Sequence, residues 1–212
     1  RRPSEVVHPP VNVKRFEWNK PRDDFYLSVC RLVPNKRVDL IIRAFNKLKL
    51  PLLVVGDGVE KAYLKKIAGP TVQILGYQSM EKVVDLMSRC RAFVYAGIED
   101  FGIAPVEAMA AGAPIIAFAK GGVLDTVKSI KNDHESQATG ILFPHQTIKS
   151  LVEAIEFFRT KKLWRDFHPE LIRHWANSFS EEAFKLKFEK TINKVWSEHQ
   201  KSCDIGSSDL RS

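Results

Sequence analysis

Residues 93–117 read FVYAGIEDFGIAPVEAMAAGAPIIA: an apolar run, a loop, a helix-forming stretch and a second apolar run. The two apolar runs show no alternation of polar and apolar residues, which is the pattern of strands covered on both faces. A helix between them makes the connection a crossover, and crossovers join parallel strands. One such unit implies a parallel sheet with helices on its faces. It also places Glu99 at the mouth of a buried strand and Glu107 about one turn inside the next helix.

The same alternation extends in both directions. Apolar runs occupy 25–32, 50–56, 71–76, 92–97, 113–119 and 140–144. Helical stretches lie between them at 37–48, 59–68, 79–90 and 104–111, with a short one after Gly122 and another at 147–160. Val83, Val84, Leu86 and Met87 recur at helical spacing behind Ser79, a capping residue. Strand, helix, strand over this length predicts an α/β fold, a Rossmann-like doubly wound parallel sheet of about six strands. From Leu163 onward only helices are expected. Ser180 caps the last one ahead of Glu181 and Glu182, and Phe184, Phe188, Ile192 and Val195 form one stripe along it.

Composition narrows the class. With 44% hydrophobic residues in 212 the chain can bury a sizeable core. The net charge of +8 favours phosphates or an anionic surface. The cations are scattered and not interleaved with aromatic residues, which argues against nucleic acid as the partner. Cys30, Cys90 and Cys203 are far apart, with no spacing that suggests a metal; a reducing cytoplasm is the expected setting, with peripheral contact at the cytoplasmic face of a membrane allowed by the charge. No run spans a bilayer. The chain begins with Arg, so it reads as a fragment or a processed product.

Ligands of open parallel sheets bind at the carboxyl ends of the strands, so the loops after strands hold the candidates. The first is RLVPNK, with Arg31 at the strand exit and Lys36 before the helix, a cationic pair at a helix start suited to an anion; read singly, both are solvated side chains. The second strand ends in VVGDG, with Gly56 and Gly58. Lys61 stands where a dinucleotide fingerprint needs glycine, so the turn serves either close approach of a ligand or only the chain reversal. Phe101, Gly102, Ile103 and Ala104 provide no capping side chain, which leaves the amides of that helix for water or a ligand. Glu107 has a rival reading as a first-turn carboxylate favoured by the helix dipole. Gly121 and Gly122 remove side chains where a ligand would lie. Cations, bare amides and two carboxylates on one sheet edge suit a phosphate-linked polyol.

The patterns R-L-x-x-x-K, VVGDG, ILGY and E-x7-E followed by EAMAAGAPIIAFAKGG resemble the donor-binding domain of the family-four retaining glycosyltransferases, which have the GT-B fold. The similarity runs from HPPVNVKRF at 8–16 through Phe143. EDFGIAPVEA with GGVLDTV is most similar to the mannosyltransferases of polysaccharide and lipopolysaccharide assembly, whose donor is GDP-mannose. The resemblance implies that Arg31 and Lys36 hold the donor diphosphate and that Glu107 binds the ribose. Glu99, with the backbone of Phe101, Gly102 and Ile103, would face the transferred sugar and its phosphate. Ile74, Leu75, Gly76 and Tyr77 would pack along the nucleobase. Many family members have glycine where this chain has Asp100.

The resemblance further implies retention of anomeric configuration with no cofactor and no obligatory metal. It divides the chain into a nucleotide-sugar-binding domain at 1–162, helices at 163–201 that pack on it or on a missing N-terminal domain, and a disordered tail at 202–212. The glycan or lipid-linked acceptor would be held by that missing domain, so this chain alone is expected to bind donor and transfer nothing. Rival readings are the same domain with a UDP-sugar donor and a non-catalytic nucleotide-sugar-binding or assembly subunit.

Overall fold

The computed structural model describes residues 4–130 and 137–208. Six short strands form one sheet: β1 (Tyr26–Val29), β2 (Leu52–Val55), β3 (Val72–Gly76), β4 (Ala92–Tyr95), β5 (Ile115–Phe118) and β6 (Gly140–Phe143). They lie in the order β3-β2-β1-β4-β5-β6, and every pair is parallel. The expected doubly wound Rossmann-like sheet is therefore present. β4 and β5, next to each other inside the sheet, are buried at every residue, which explains their unbroken apolar character. β3 lies at an edge and exposes Gln73.

The crossover helices are α1 (Val38–Leu48), α2 (Lys61–Ile67), α3 (Met80–Arg89), α4 (Ile103–Ala110) and the single turn α5 (Val123–Thr126); α6 (Ile148–Thr160) follows β6. Each is seated by one apolar face, as in α1, where Leu40, Ile41, Ala44 and Phe45 are buried. Ser79 caps α3 by accepting the Lys82 N–H at 3.3 Å. Thr147 does the same for α6, accepting from Ser150 N–H at 3.2 Å.

The residues from Leu163 to Phe179 pack on the sheet domain, one of the two placements expected for the helices that follow it. Leu163, Phe167, Ile172, Ala176 and Phe179 belong to the same buried cluster as the strands. Helix α7 (Pro169–Ala176) lies against α4, and the Arg173 guanidinium joins it to the amino-terminal segment. Its Nη1 donates to the carbonyls of Val13 (2.5 Å), Phe16 (3.2 Å) and Ala110 (2.7 Å). The Val11 N–H in turn donates to Phe179 O at 2.8 Å. The segment 11–16 and the stretch 163–179 are thus both bound to the sheet layer.

Only α8 (Glu181–Ser208) leaves this core. Ser180 caps it through the Ala183 N–H at 3.1 Å. Leu186, Phe188, Ile192, Val195 and Trp196 stand exposed along it, so the apolar stripe has no cover within the described residues. The helix continues to Ser208, into the stretch expected to be a disordered tail; the last four residues of that tail, 209–212, lie outside the described residues.

Candidate functional site

Strands β1 and β4 are neighbours, paired at Tyr26–Ala92 and Leu27–Phe93. From β1 the chain moves outward to β2, and from β4 it moves the opposite way to β5. The loops after these two strands therefore diverge and leave a crevice at the carboxyl edge, the usual ligand position in such sheets. A cavity of about 360 Å³ opens there, and Arg31, Lys36, Glu99, Phe101, Gly102 and Ile103 line it together. Sequence reasoning nominated all six, from two loops that are far apart in the chain.

Charge in the cavity is balanced and directional. Lys36 Nζ is ion-paired with Glu99 Oε1, and the two side chains are only 15% and 33% exposed. The exposed Arg31 guanidinium, on the same wall, has no hydrogen-bond or ion-pair partner among the described residues. An arriving anion meets one free guanidinium, one ammonium already held by a carboxylate, and the carboxylate of Asp100 in the same lining. Cys30 also lines the cavity, but burial pushes its thiol up to about 11, so it remains protonated at neutral pH.

Gln146, in the loop after β6, was not nominated. Its Oε1 accepts from Arg37 Nη1 at 3.4 Å, and its Nε2 donates to Ala96 O at 2.8 Å. Arg37 adjoins Lys36, and Ala96 begins the segment that leads to Glu99, so Gln146 joins the two walls of the cavity. The approach there is tight. A Cβ on Gly97 would lie 3.1 Å from Lys36 Cα. No local sequence signal marks Gln146, because it is the packing of α6 on α1, across β5, that brings the loop after β6 beside those of β1 and β4.

Gly102 begins α4 at φ 87°, a conformation that favours glycine, and no side chain caps the helix. The amides at its start are uncapped, as expected, and Gly102, Ile103, Ala104 and Pro105 line the cavity. Gly121 and Gly122 have a different role from the one the sequence suggested. A Cβ at Gly121 would lie 2.3 Å from Glu99 O, and one at Gly122 would lie 2.4 Å from Phe101 Cα. The Gly122 N–H donates to Glu99 O at 2.8 Å. These glycines make room for the Glu99–Phe101 backbone and hold it in place.

Gly56 and Gly58 serve the same purpose for the β1 loop, since a Cβ at either would lie 1.9 Å from Cys30 O or 2.3 Å from Leu32 O. Neither glycine is part of the cavity lining. Ile74, Leu75, Gly76 and Tyr77 stand at the end of β3, also outside the cavity but on the same edge of the sheet. Gly76 O accepts from the Gly56 N–H at 2.9 Å, and the Tyr77 ring is 80% exposed.

Glu107 is the fifth residue of α4, past the first turn, so the dipole explanation does not hold for it. It is not part of the cavity lining; burial raises its carboxyl above the usual range and Arg15 pulls it part of the way back. A half-buried carboxylate disfavoured by its surroundings is a group that hydroxyl donors would satisfy. The amino-terminal arm also reaches the site. Pro9 lines the cavity, and the His8 ring stacks on Phe101 with centroids 5.4 Å apart.

The model of the family described as "Glycosyl transferases group 1" matches residues 11–183. The chain belongs to that family. Its α/β sheet is the Rossmann-like architecture of GT-B glycosyl transferases. Among curated relatives, the alpha-1,3/1,6-mannosyltransferase ALG2 of Saccharomyces cerevisiae is 29% identical over 224 residues, covering 83% of this chain and 44% of that protein. A GDP-mannose-dependent alpha-mannosyltransferase of Mycobacterium tuberculosis is 30% identical over 133 residues, covering 62% of this chain and 33% of that enzyme. Among solved structures, HepE of Anabaena in complex with UDP superposes with a TM-score of 0.74 at 18% identity, over 90% of this chain and 57% of that one. The chain thus spans about half, or less, of the length of these proteins. None of its described helices is long and apolar enough to cross a membrane.

Proposed function

We propose that this chain is the donor-binding part of a retaining glycosyl transferase and that its donor is GDP-mannose. The observation that carries the reading is the switch-point cavity. Arg31 and Lys36 face Glu99 across it, and the uncapped start of α4 forms a third wall. Two cations and free amides suit a diphosphate, and a carboxylate beside them suits the hydroxyls of the attached sugar.

In this reading Arg31 and Lys36 stabilise the charge that develops on the departing nucleoside diphosphate. Glu99 faces the sugar as positive charge grows at its anomeric carbon, and configuration is retained without a metal. Glu107 accepts from the ribose hydroxyls, and the base lies along Ile74–Tyr77, where the exposed Tyr77 ring provides a face. A glycan or lipid-linked acceptor, and any contact with a membrane surface, belong to this proposal too. Mannose and GDP are supported by the names of the yeast and mycobacterial relatives. The UDP bound to HepE supports the second reading, a UDP-sugar donor. Calorimetric titration with GDP, UDP, GDP-mannose and UDP-glucose separates them: tightest binding of GDP-mannose supports the first reading, and preference for the uridine compounds overturns it.

A further inference from the structure

At the opposite edge of the sheet is a second concavity whose lining is cationic. Arg91 precedes β4 and Pro114 precedes β5, so this cavity of about 260 Å³ lies at the amino ends of the strands. Arg22, Arg91, Arg165 and His168 line it, with the rings of Trp164 and Phe167 as an apolar wall, and no carboxylate does. Asp24 pairs with Arg91 Nε at 2.8 Å; it is 80% exposed and is not part of the lining. Asp166 and Glu170, next along the chain to two of the lining residues, are exposed and also absent from the lining.

Two of the guanidinium groups are fixed in advance. Arg22 is held by the carbonyls of Met87 (3.1 Å), Cys90 (3.0 Å) and Ala111 (2.5 Å), and its buried Nε has no partner. Arg91 lies over the Trp164 ring, 4.8 Å from its centroid. The third, Arg165, is exposed and unpartnered among the described residues. His168 precedes α7, whose start has no side-chain cap. Like charges held together in a concave wall focus their field on the space between them, and an oxyanion relieves the repulsion and accepts from the free Arg165 guanidinium.

We propose that this cavity binds a phosphate monoester, its oxygens bonded by the guanidinium groups and its organic part resting on Trp164 and Phe167. The site is separate from the donor crevice, and the proposal does not depend on the identity of the donor. The shared chemistry is a phosphate group, carried either by a small soluble metabolite or by a lipid headgroup.

The test reads the Trp164 indole N–H resonance of the isotope-labelled 212-residue chain, assigned through Trp164→Phe. Inorganic phosphate, glycerol phosphate and vesicles containing phosphatidic acid are titrated separately, with chloride at matched ionic strength as the reference. Expected is a saturable shift with phosphate or its ester, in the range of about 1 mM. Arg165→Glu, at an exposed position, and Arg91→Gln should each weaken it roughly tenfold or more while the rest of the spectrum is kept. A response to vesicles alone assigns the phosphate to a lipid headgroup, and a response to soluble compounds alone assigns it to a metabolite. A shift that chloride reproduces, one that survives both substitutions, or no response to any of the three probes overturns the proposal.

Discussion

Lys36 and Glu99, sixty-three positions apart in the chain, meet as an ion pair across the mouth of the switch-point cavity. The pair keeps a desolvated ammonium neutralised until a ligand arrives, so a diphosphate must compete with Glu99 for Lys36. Removing the carboxylate should therefore help free GDP. A partly exposed pair is worth up to about 1 kcal/mol, so Glu99→Gln is expected to tighten GDP by up to roughly fivefold and to weaken whatever depends on the sugar. Lys36→Ala and Arg31→Ala should each weaken GDP by about 1.5–3 kcal/mol. Calorimetry on the three variants checks this, and wild-type GDP affinity in both cation variants would remove the phosphate assignment.

Glu107 should reduce stability at neutral pH. Burial raises its folded-state value above 4.5, so the folded chain holds the proton more tightly than the unfolded chain. That contribution to stability is complete below the unfolded value and is lost as pH rises through the folded one. Glu107→Gln keeps the shape without the titration. Its melting temperature is expected to exceed wild type at pH 7, with the gap closing near pH 4, while GDP and GDP-mannose both bind less well. A lower melting temperature at pH 7 would mean that a partner favours the charged form and that burial does not decide its state.

Gln146→Ala removes both bonds that join the cavity walls. Each is worth about 1 kcal/mol in the folded state. The expected result is a nucleotide affinity lowered roughly three- to tenfold, with a melting temperature lowered by about 4–8 °C. Unchanged affinity in a variant that has lost stability would reduce Gln146 to a structural link.

The glycines separate two effects. At Gly122 an alanine Cβ would lie 2.4 Å from Phe101 Cα, so Gly122→Ala must displace the Glu99–Phe101 segment. At Gly102 the nearest atom would be 3.5 Å away, and the only penalty is the positive φ, about 1–2 kcal/mol. We expect Gly122→Ala to abolish donor binding and Gly102→Ala to lower the melting temperature modestly. Thermal scans with and without nucleotide distinguish the two outcomes.

Local chemistry alone determined the parallel sheet, its crossover helices, the Ser79 and Ser180 caps and the nomination of Arg31, Lys36, Glu99 and Glu107. Apolar periodicity and capping residues act over a few positions, so they can be read without knowing where the chain goes next. Tertiary structure decided which of these groups meet. The strand order placed β1 beside β4 and so brought Lys36 to Glu99; the packing of α6 on α1 brought Gln146 from the β6 loop to the same walls. Contact with the Glu99–Phe101 backbone, invisible in the sequence, gave Gly121 and Gly122 their role, and contact with Cys30 O and Leu32 O did so for Gly56 and Gly58. Burial on α4 raised the Glu107 carboxyl above its usual value. The continuity of α7 with the core followed from Arg173 reaching three carbonyls on two other segments. These outcomes depend on distances between residues remote in the chain, which no local pattern encodes.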